Sequence, residues 1–420
     1  MPLALAEPVK LPCGLILPNR FVKAAMAEGM ASKKENLPNQ DFFQVYAKWA
    51  EGGWGAILTG NVQVDPDYLG NPQDPVAGEY NENDTKTLDR WRQYADACQK
   101  HGTPAIVQIC HAGKQSPRGA GRRGLFSPTI APSAIPLNLG DGYLDRFFRW
   151  LAFGSPREMT VKDIEKVVRQ FVDTARLMAK SGFAGVELHG AHGYLLTQFL
   201  SSKSNLRTDD YGGTPEKRAK IVVDIIRQIR EAVPSNFCIG IKLNSADHDS
   251  AEFEDTMRQI ELLVESGIDF LEVSGGSYED PKMMSQDFVQ NTEKSQRTLA
   301  REAFFLDFAA EIRKRFPNLV LMVTGGFRTR RGTEAAVQSK ACDLVGIARP
   351  AAVNPKFPQL LLDETVPDED AQLVLAKVRL PGWMRFLPLK RALGAGAESL
   401  YYTRQIQRLA KGLPTSGPPA

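Results

Sequence analysis

The chain has 420 residues, of which 43% are hydrophobic and 24% charged, and its formal net charge is +3. This composition is that of an ordinary globular protein, and so small a net charge argues against nucleic acid and polyanionic membrane surfaces as partners. No apolar run approaches the roughly 20 residues of a membrane span, and the N-terminus lacks the pattern of a secretion signal. The five cysteines are scattered, with no two closer than 12 residues. Such spacing predicts a reduced, cytoplasmic protein without a disulfide framework.

Short apolar runs alternate with longer amphipathic segments along the whole chain. The predicted strands span residues 20–26, 56–62, 105–110, 185–190, 237–244, 270–275, 319–326 and 344–349. The predicted helices span residues 41–52, 84–100, 161–181, 215–233, 254–266, 300–315, 330–340 and 355–363. Strands that are apolar throughout and separated by helices indicate a parallel sheet covered on both faces. Eight such units predict an α/β fold of the closed (β/α)₈ TIM-barrel type. The alternative is a doubly wound open sheet, but the GxGxxG turn typical of that fold is absent after the first strand.

Two segments fall outside this alternation. Residues 111–160, between the third strand and the next helix, are rich in Gly, Pro and Arg, and loops of such length are usually functional. In a barrel this insertion lies at the carboxyl ends of the strands, where it is either a lid or a structural flap. We therefore assign residues 1–380 to the barrel. Residues 381–420 form a C-terminal extension that is expected to dock on the barrel and to end in a disordered tail. Whether the extension also forms an oligomer contact is left open.

Polar and small residues collect where the predicted strands end, which is where barrel enzymes place their functional groups. They are Met26, Ala27, Asn61, Gln108, His111, His189, His192, Tyr194, Lys242 and Asn244. Any one of them alone is more often a satisfied structural residue, but their accumulation at one end favours a site. Gly325, Gly326 and Arg349 follow the last two strands, where barrels commonly bind phosphate. This pattern predicts a phosphorylated cofactor or substrate.

The stretch ELHGAHGYL contains His189 and His192, which are either metal ligands, hydrogen-bond donors to a ligand, or packed core side chains. A zinc site needs three or four ligands, and this spacing is one residue shorter than that of the HExxH motif. No set of Asp, Glu or Cys residues stands at the other strand ends. The sequence therefore favours ligand binding without a metal.

Several longer motifs occur in the same order as in a known family. They are LPNRFVKAAM, IVQICHAGKQ, GVELHGAHGYLLTQFLSSKSNLRTDDYGGTPEKRAKIVVDIIRQI, IGIKLNSADH, VTGGF and DLVGIARP. On these motifs, over about residues 5–360, the chain resembles the Old Yellow Enzyme family of FMN-dependent ene-reductases, which are (β/α)₈ barrels. The long central motif is the most specific, because the fold alone does not explain it.

The resemblance implies a role for each matching residue. Gln108 hydrogen-bonds the pyrimidine edge of FMN, and Lys242 stabilises the anionic reduced flavin near N1. The remaining cofactor-binding positions implied are Ala25, Met26, Ala27 and Asn61 along the ring and Gly325, Gly326, Ala348 and Arg349 at the phosphate. His189 and His192 bind the carbonyl or nitro oxygen of the substrate.

The resemblance also implies a reaction in two half-reactions. NADH or NADPH reduces FMN and leaves, and an electron-poor alkene then receives a hydride from flavin N5. Charge developing on the substrate oxygen is stabilised by the two histidines, and Tyr194 donates a proton to the α-carbon as a general acid. A phenol with a usual pKa near ~10 is protonated at neutral pH and suits this role. The expected partners are thus small molecules.

Three departures from the family pattern indicate a divergent branch. Ala27 stands where Thr or Cys commonly hydrogen-bonds the flavin, which predicts a lower flavin potential. Gly29 replaces a tyrosine of some bacterial members, and Lys242 replaces a frequent arginine, keeping the charge but losing its planar fork. Alternatives therefore stay open: another task on the same FMN barrel, such as an isomerase or oxidase of a biosynthetic pathway, and a metal-dependent hydrolase that uses His189 and His192.

Overall fold

Eight parallel strands close into a barrel in the computed structural model, which describes residues 3–77, 84–140, 142–246, 251–274, 296–375, 378 and 390–417. The strands are β1 (Phe21–Lys23), β2 (Ala56–Leu58), β3 (Ala105–Cys110), β4 (Gly185–Gly190), β5 (Cys238–Asn244), β6 (Phe270–Ser274), β7 (Val320–Thr324) and β8 (Leu344–Ile347). Each pairs in parallel with the next, and β8 closes the ring on β1 with Val345 opposite Phe21. The predicted (β/α)₈ barrel is confirmed.

Helices separate and cover the strands. They are α1 (Gln40–Ala50), α2 (Thr85–Gln99), α3 (Tyr143–Phe153), α4 (Val161–Lys180), α5 (Leu195–Leu200), α6 (Pro215–Ala232), α7 (Ala251–Glu265), α8 (Gln296–Arg315), α9 (Arg330–Gln338), α10 (Arg349–Val353), α11 (Phe357–Leu362) and α12 (Lys390–Ala410). Within the described residues, no helix combines the length and apolar character that crossing a bilayer requires.

Local sequence explains where the covering helices start. Thr160 and Asp163 form a reciprocal capping box at α4, which satisfies backbone N–H groups that the first turn leaves unpaired. At α6, Thr214 accepts a hydrogen bond from the N–H of Lys217, and Pro215 follows it at the first helical position. Each cap fixes the point where a loop at the mouth of the barrel ends.

Several strands end earlier than predicted. The first, second and seventh end at Lys23, Leu58 and Thr324 rather than at residues 26, 62 and 326. The eighth strand ends at Ile347 rather than 349, because Arg349 and Pro350 begin α10. The sixth strand is described to Ser274, and the predicted residue 275 lies outside the described residues. A hairpin of Val9–Lys10 and Ile16–Leu17 packs Leu11 and Leu17 against the apolar interior at the amino ends of the strands. The opposite end is therefore the one at which the barrel opens.

The two segments outside the barrel alternation contain structure of their own. The 111–160 insertion includes a 3₁₀ turn (Gly113–Gln115), paired strands Ile130–Ala131 and Arg157–Glu158, and helix α3. The C-terminal extension contains α12, which buries Tyr402 and Ile406 and packs on α1. Residues 381–389 and 418–420 lie outside the described residues, so the disordered tail stays a prediction.

Candidate active site

A cavity of about 580 Å³ opens at the carboxyl ends of the strands. All thirteen residues that the resemblance assigns to the site line it, namely Ala25, Met26, Ala27, Asn61, Gln108, His189, His192, Tyr194, Lys242, Gly325, Gly326, Ala348 and Arg349. The strand-end residues His111 and Asn244 do not line it. The fold therefore brings together residues more than 300 positions apart in sequence. Their individual roles in binding and catalysis stay predictions.

His192 is held in an unusual backbone conformation. Its φ is +58°, the left-handed region that costs a residue with a side chain about 1 kcal/mol or more, and Gly193 follows at +76°. The turn is stabilised on both sides, because the His192 N–H donates to Asn244 Oδ1 at 3.1 Å and Gln115 Nε2 donates to the His192 carbonyl at 2.9 Å. This turn directs the ring of His192 back toward His189 at the end of β4.

The two imidazoles contact each other directly, with His192 Nδ1 3.2 Å from His189 Nε2. His189 Nδ1 accepts a hydrogen bond from the Ala191 N–H at 3.3 Å, so the proton of a neutral His189 lies on Nε2. At its other nitrogen, His192 Nε2 lies 3.2 Å from Ser274 Oγ, a buried hydroxyl at the end of β6. The result is a chain of contacts from Ala191 through both histidines to Ser274.

Both histidines are neutral in this environment. Burial, reinforced by the positive charge of Lys242, lowers the pKa of His192 to about 3. Burial also holds the pKa of His189 well below its usual value. Each neutral ring carries one N–H, so each can supply one hydrogen bond to a ligand oxygen.

Tyr194 lies beside the pair, with its ring 4.7 Å from that of His189 in an edge-to-face arrangement. The Asn61 side-chain amide donates to the Tyr194 hydroxyl oxygen at 3.2 Å. Because the amide is the donor in that contact, it does not use the phenolic proton. Tyr194 precedes α5, and its backbone position is fixed by a hydrogen bond from its N–H to the Ala191 carbonyl at 3.3 Å.

Gln108 and Lys242 form the floor of the cavity, and the fully buried Glu187 and Glu272 contact them. Lys242 Nζ lies 3.0 Å from Glu272 Oε1, and Gln108 Nε2 donates to Glu187 Oε2 at 2.5 Å. Burial lowers the pKa of Lys242, but the Glu272 and Glu187 charges outweigh that effect and raise it. Burial and then the charge of Glu272 raise the pKa of Glu187 well above its usual value. The nearby carboxylates therefore favour a protonated Lys242, and burial beside Glu272 disfavours ionisation of Glu187.

The other end of the cavity is built by the chain after β7 and β8. Gly325 (φ +148°) and Gly326 (φ +76°) adopt backbone angles that favour glycine and leave backbone close to the cavity. Arg349 Nη1 donates to Glu398 Oε1 at 2.7 Å, and the side chain of Arg349 lies over the ring of Tyr402. The predicted phosphate-binding arginine thus contacts a carboxylate of the C-terminal extension.

Sequence reasoning missed several cavity residues. They are Gln115 from the insertion, Ser274 from β6, Arg328 after β7, and Glu398, Tyr402 and Thr403 from α12. Arg328 lies two residues after Gly326, so its place after β7 could have indicated a second cation. The residues of α12 offered no such signal, because they follow no predicted strand.

One cluster of potential metal ligands occurs in the described part of the chain, and it lies away from the histidines. Cys13, Cys238 and Asp269 lie at the amino ends of the strands. Asp269 accepts hydrogen bonds there from the N–H groups of Cys13 and Ile239, and it pairs with Arg230. These contacts give Asp269 a structural role that ties the N-terminal hairpin to the barrel.

A barrel with a flavin-sized cavity, a buried cation at one end and a glycine-rich arginine site at the other defines the class of FMN-binding (β/α)₈ oxidoreductases. The sequence matches the NADH:flavin oxidoreductase / NADH oxidase family over residues 4–368, and the chain belongs to this family. The resemblance to Old Yellow Enzymes is thereby confirmed. The protein is an NAD(P)H-dependent flavin oxidoreductase with FMN as its cofactor.

Individual proteins of known family are similar to this chain in sequence or in fold. The chain is 46% identical over 409 residues to NADH-dependent flavin oxidoreductase iliE of Neonectria sp. (strain DH2), covering 95% of this chain but 53% of that protein. It is 45% identical over 416 residues to NADH-dependent flavin oxidoreductase iccE of Talaromyces variabilis, covering 97% of this chain and 99% of that one. An old yellow enzyme homologue from Zymomonas mobilis has the same fold, with a TM-score of 0.68 at 21% identity over 87% of this chain and 93% of that chain.

The donor set of the cavity fits FMN. The floor offers the Gln108 amide and the charged Lys242 to the polar edge of a flavin ring. The far end offers glycine backbone with Arg328 and Arg349, which suit a phosphate dianion. Ala25, Met26 and Ala27 give one wall an apolar character for the ring between these ends.

Proposed function

We propose that this protein reduces the activated C=C bond of α,β-unsaturated carbonyl or nitro compounds. The observation that carries the proposal is the meeting of His189, His192 and Tyr194 in one cavity, with two neutral N–H donors beside a phenol. When bound, FMN supplies the hydride that it takes from NAD(P)H.

In this proposal the chain's own residues bind and polarise the substrate. The N–H groups of His189 and His192 donate to the substrate oxygen, which gains negative charge as the alkene is reduced. Because both rings are fixed by neighbouring hydrogen bonds, little reorganisation is needed when that charge appears. A neutral imidazole suits this task, since it donates a hydrogen bond without a competing ion pair.

Tyr194 supplies the proton to the α-carbon. Asn61 orients the phenol by donating to its oxygen, and this hydrogen bond also stabilises the oxygen as its proton leaves. Lys242 keeps a positive charge at the cavity floor in both half-reactions, because the charge of Glu272 raises its pKa despite its burial. General acid catalysis of this kind contributes on the order of 10²–10⁴ in rate.

Tyr194→Phe tests the proposal when the two half-reactions are followed separately by rapid mixing. We expect reoxidation by an enone such as cyclohexenone to slow by about 100-fold or more, while reduction by NADH changes little. Tyr211→Phe is the matched control, because it removes a half-buried phenol hydroxyl outside the cavity. Equal enone rates in Tyr194→Phe and the control would exclude Tyr194 as the proton donor. No reoxidation of the unsubstituted protein by any enone or nitroalkene would overturn the function itself.

A further inference from the structure

Helix α3 of the insertion has its apolar side turned outward. Tyr143, Leu144, Phe147, Phe148, Trp150 and Leu151 are all exposed, with exposed fractions from 40% for Phe148 to 92% for Tyr143. At 100° per residue these six side chains occupy one continuous arc of about 160° of the helix. We call this arc the outer face of α3.

The opposite arc of the helix is the one nearer the protein. It carries Asp145, Arg149 and Phe153, which are the less exposed residues of α3, and Arg149 donates to the Leu137 carbonyl at 3.1 Å. A surface helix of a globular protein normally has the reverse arrangement, with its apolar arc on the core. No residue of α3 is buried. Packing of α3 against the rest of the chain therefore does not explain why its apolar side chains lie together on one side.

The outer face continues onto the neighbouring loop. The guanidinium of Arg118 lies 5.4 Å from the centre of the Trp150 ring and 5.2 Å from that of Phe126, and Phe126 is 76% exposed. Leu125 beside it is 55% exposed. Aromatic rings and arginine are thus interleaved at the rim of one apolar surface.

The insertion that contains this surface differs in charge from the rest of the chain. Residues 111–160 contain seven Lys and Arg residues and three Asp and Glu residues, a net charge of +4, whereas the whole chain has +3. The remaining 370 residues therefore carry −1. Arg157 pairs with Asp163 of α4, whereas Arg118 and Arg123 donate to backbone carbonyl oxygens, which do not neutralise their charge. The small charge of the whole chain conceals a basic segment.

From this combination we infer that α3 and its neighbouring loop bind the surface of a bilayer that contains anionic lipid. An apolar arc rich in Phe, Trp and Leu beside arginines is what an in-plane interfacial helix requires. The charge argues against a second copy as the occupant, since two insertions of net positive charge would then face each other. The inference concerns binding at the surface and does not depend on the alkene as substrate.

The place of the insertion in the fold gives this binding a consequence. The segment begins at the end of β3, and its Gln115 lines the cavity. A bilayer held by α3 therefore lies on the side of the barrel where the cavity opens. Apolar substrates that partition into lipid would reach the cavity from that side.

The test is co-sedimentation of the FMN-loaded full chain with vesicles of phosphatidylcholine alone and of phosphatidylcholine mixed with phosphatidylserine. We expect binding to the anionic vesicles that is about tenfold or more stronger than to the neutral ones, and that weakens as salt is raised. The double variant Phe147→Ser/Trp150→Ser should lose at least about tenfold in partitioning. Ile16→Ser is the matched control, because Ile16 is 58% exposed in the hairpin at the opposite end of the barrel.

Retained FMN and an unchanged rate of reduction by NADH show that each variant is folded. Sedimentation velocity of the unsubstituted chain tests the competing explanation, in which the outer face of α3 binds a second copy of the chain. A dimer that the double variant dissociates, without vesicle binding, would assign the outer face to a second copy and overturn the inference. Absence of binding to either vesicle, or equal binding of the double variant and the unsubstituted chain, would overturn it as well.

Discussion

Ser274 is expected to control which nitrogen of His192 carries the proton. His189 already directs its Nε2–H toward His192 Nδ1, so without a ligand Nδ1 accepts and the proton of His192 lies on Nε2, facing Ser274 Oγ at 3.2 Å. A ligand oxygen bound by both rings needs the other tautomer, with the proton on Nδ1. In that state Nε2 must accept, and the Ser274 hydroxyl can donate to it because a hydroxyl serves in either role.

Ser274→Ala removes this partner. In the ligand-bound state Nε2 of His192 is then left without its hydrogen bond, which is worth about 0.5–1.5 kcal/mol for a neutral pair. Converted at 1.4 kcal/mol per factor of ten, this predicts binding of a carbonyl ligand that is weaker by roughly 2- to 12-fold. Ser274→Thr keeps the hydroxyl and should restore most of the affinity.

The assay combines ligand titration with ¹⁵N NMR of the imidazole nitrogens, whose chemical shifts report the tautomer. In the unsubstituted chain the proton of His192 should move from Nε2 to Nδ1 when the ligand binds. In Ser274→Ala this change should be incomplete at matched saturation. An identical shift change and an identical dissociation constant in both proteins would refute the reasoning, even if the alkene reaction itself is correct.

Three further predictions concern residues that line the cavity. Glu398→Gln removes the carboxylate that pairs with Arg349 at 2.7 Å and would otherwise compete with the FMN phosphate for it. FMN should therefore dissociate more slowly and bind about 3- to 10-fold more tightly. Weaker binding in equilibrium dialysis would mean that Glu398 instead orients the arginine. Ala27→Cys places a donor on the cavity wall and should raise the midpoint potential of the flavin; spectroelectrochemistry that finds no upward shift would contradict the predicted role of Ala27. Because the pKa of His192 is lowered to about 3, its ring stays neutral as pH falls through 6.5. The rate of enone reduction should therefore show no loss with an apparent pKa near 6.5. Protonation of His192 near pH 6.5, detected by NMR, would disprove that it is buried in its neutral form.

The sequence by itself determined the barrel and the residues that the strand ends contribute to the cavity. Alternating apolar runs and 3.6-residue stripes depend on near neighbours in the chain, so the eight strands and their covering helices were predictable from local pattern. Once the strands are parallel, their carboxyl ends must lie at one end of the barrel. That requirement placed Gln108, His189, Lys242 and Arg349 around one cavity before any contact was known.

Only the tertiary structure decided how these residues contact one another. The register of the closed barrel sets Lys242 opposite both His189 and Glu272, and one residue of slip would turn each side chain to the other face. The left-handed turn at His192 depends on Asn244, which is 52 positions away, and the partner of Arg349 comes from α12. Helix α3 was not predicted, because its residues lie within the insertion. Even for a predicted helix, periodicity gives the same signal whether its apolar stripe faces the core or the solvent. The direction a stripe faces is fixed by what surrounds the helix, which is a property of the folded chain.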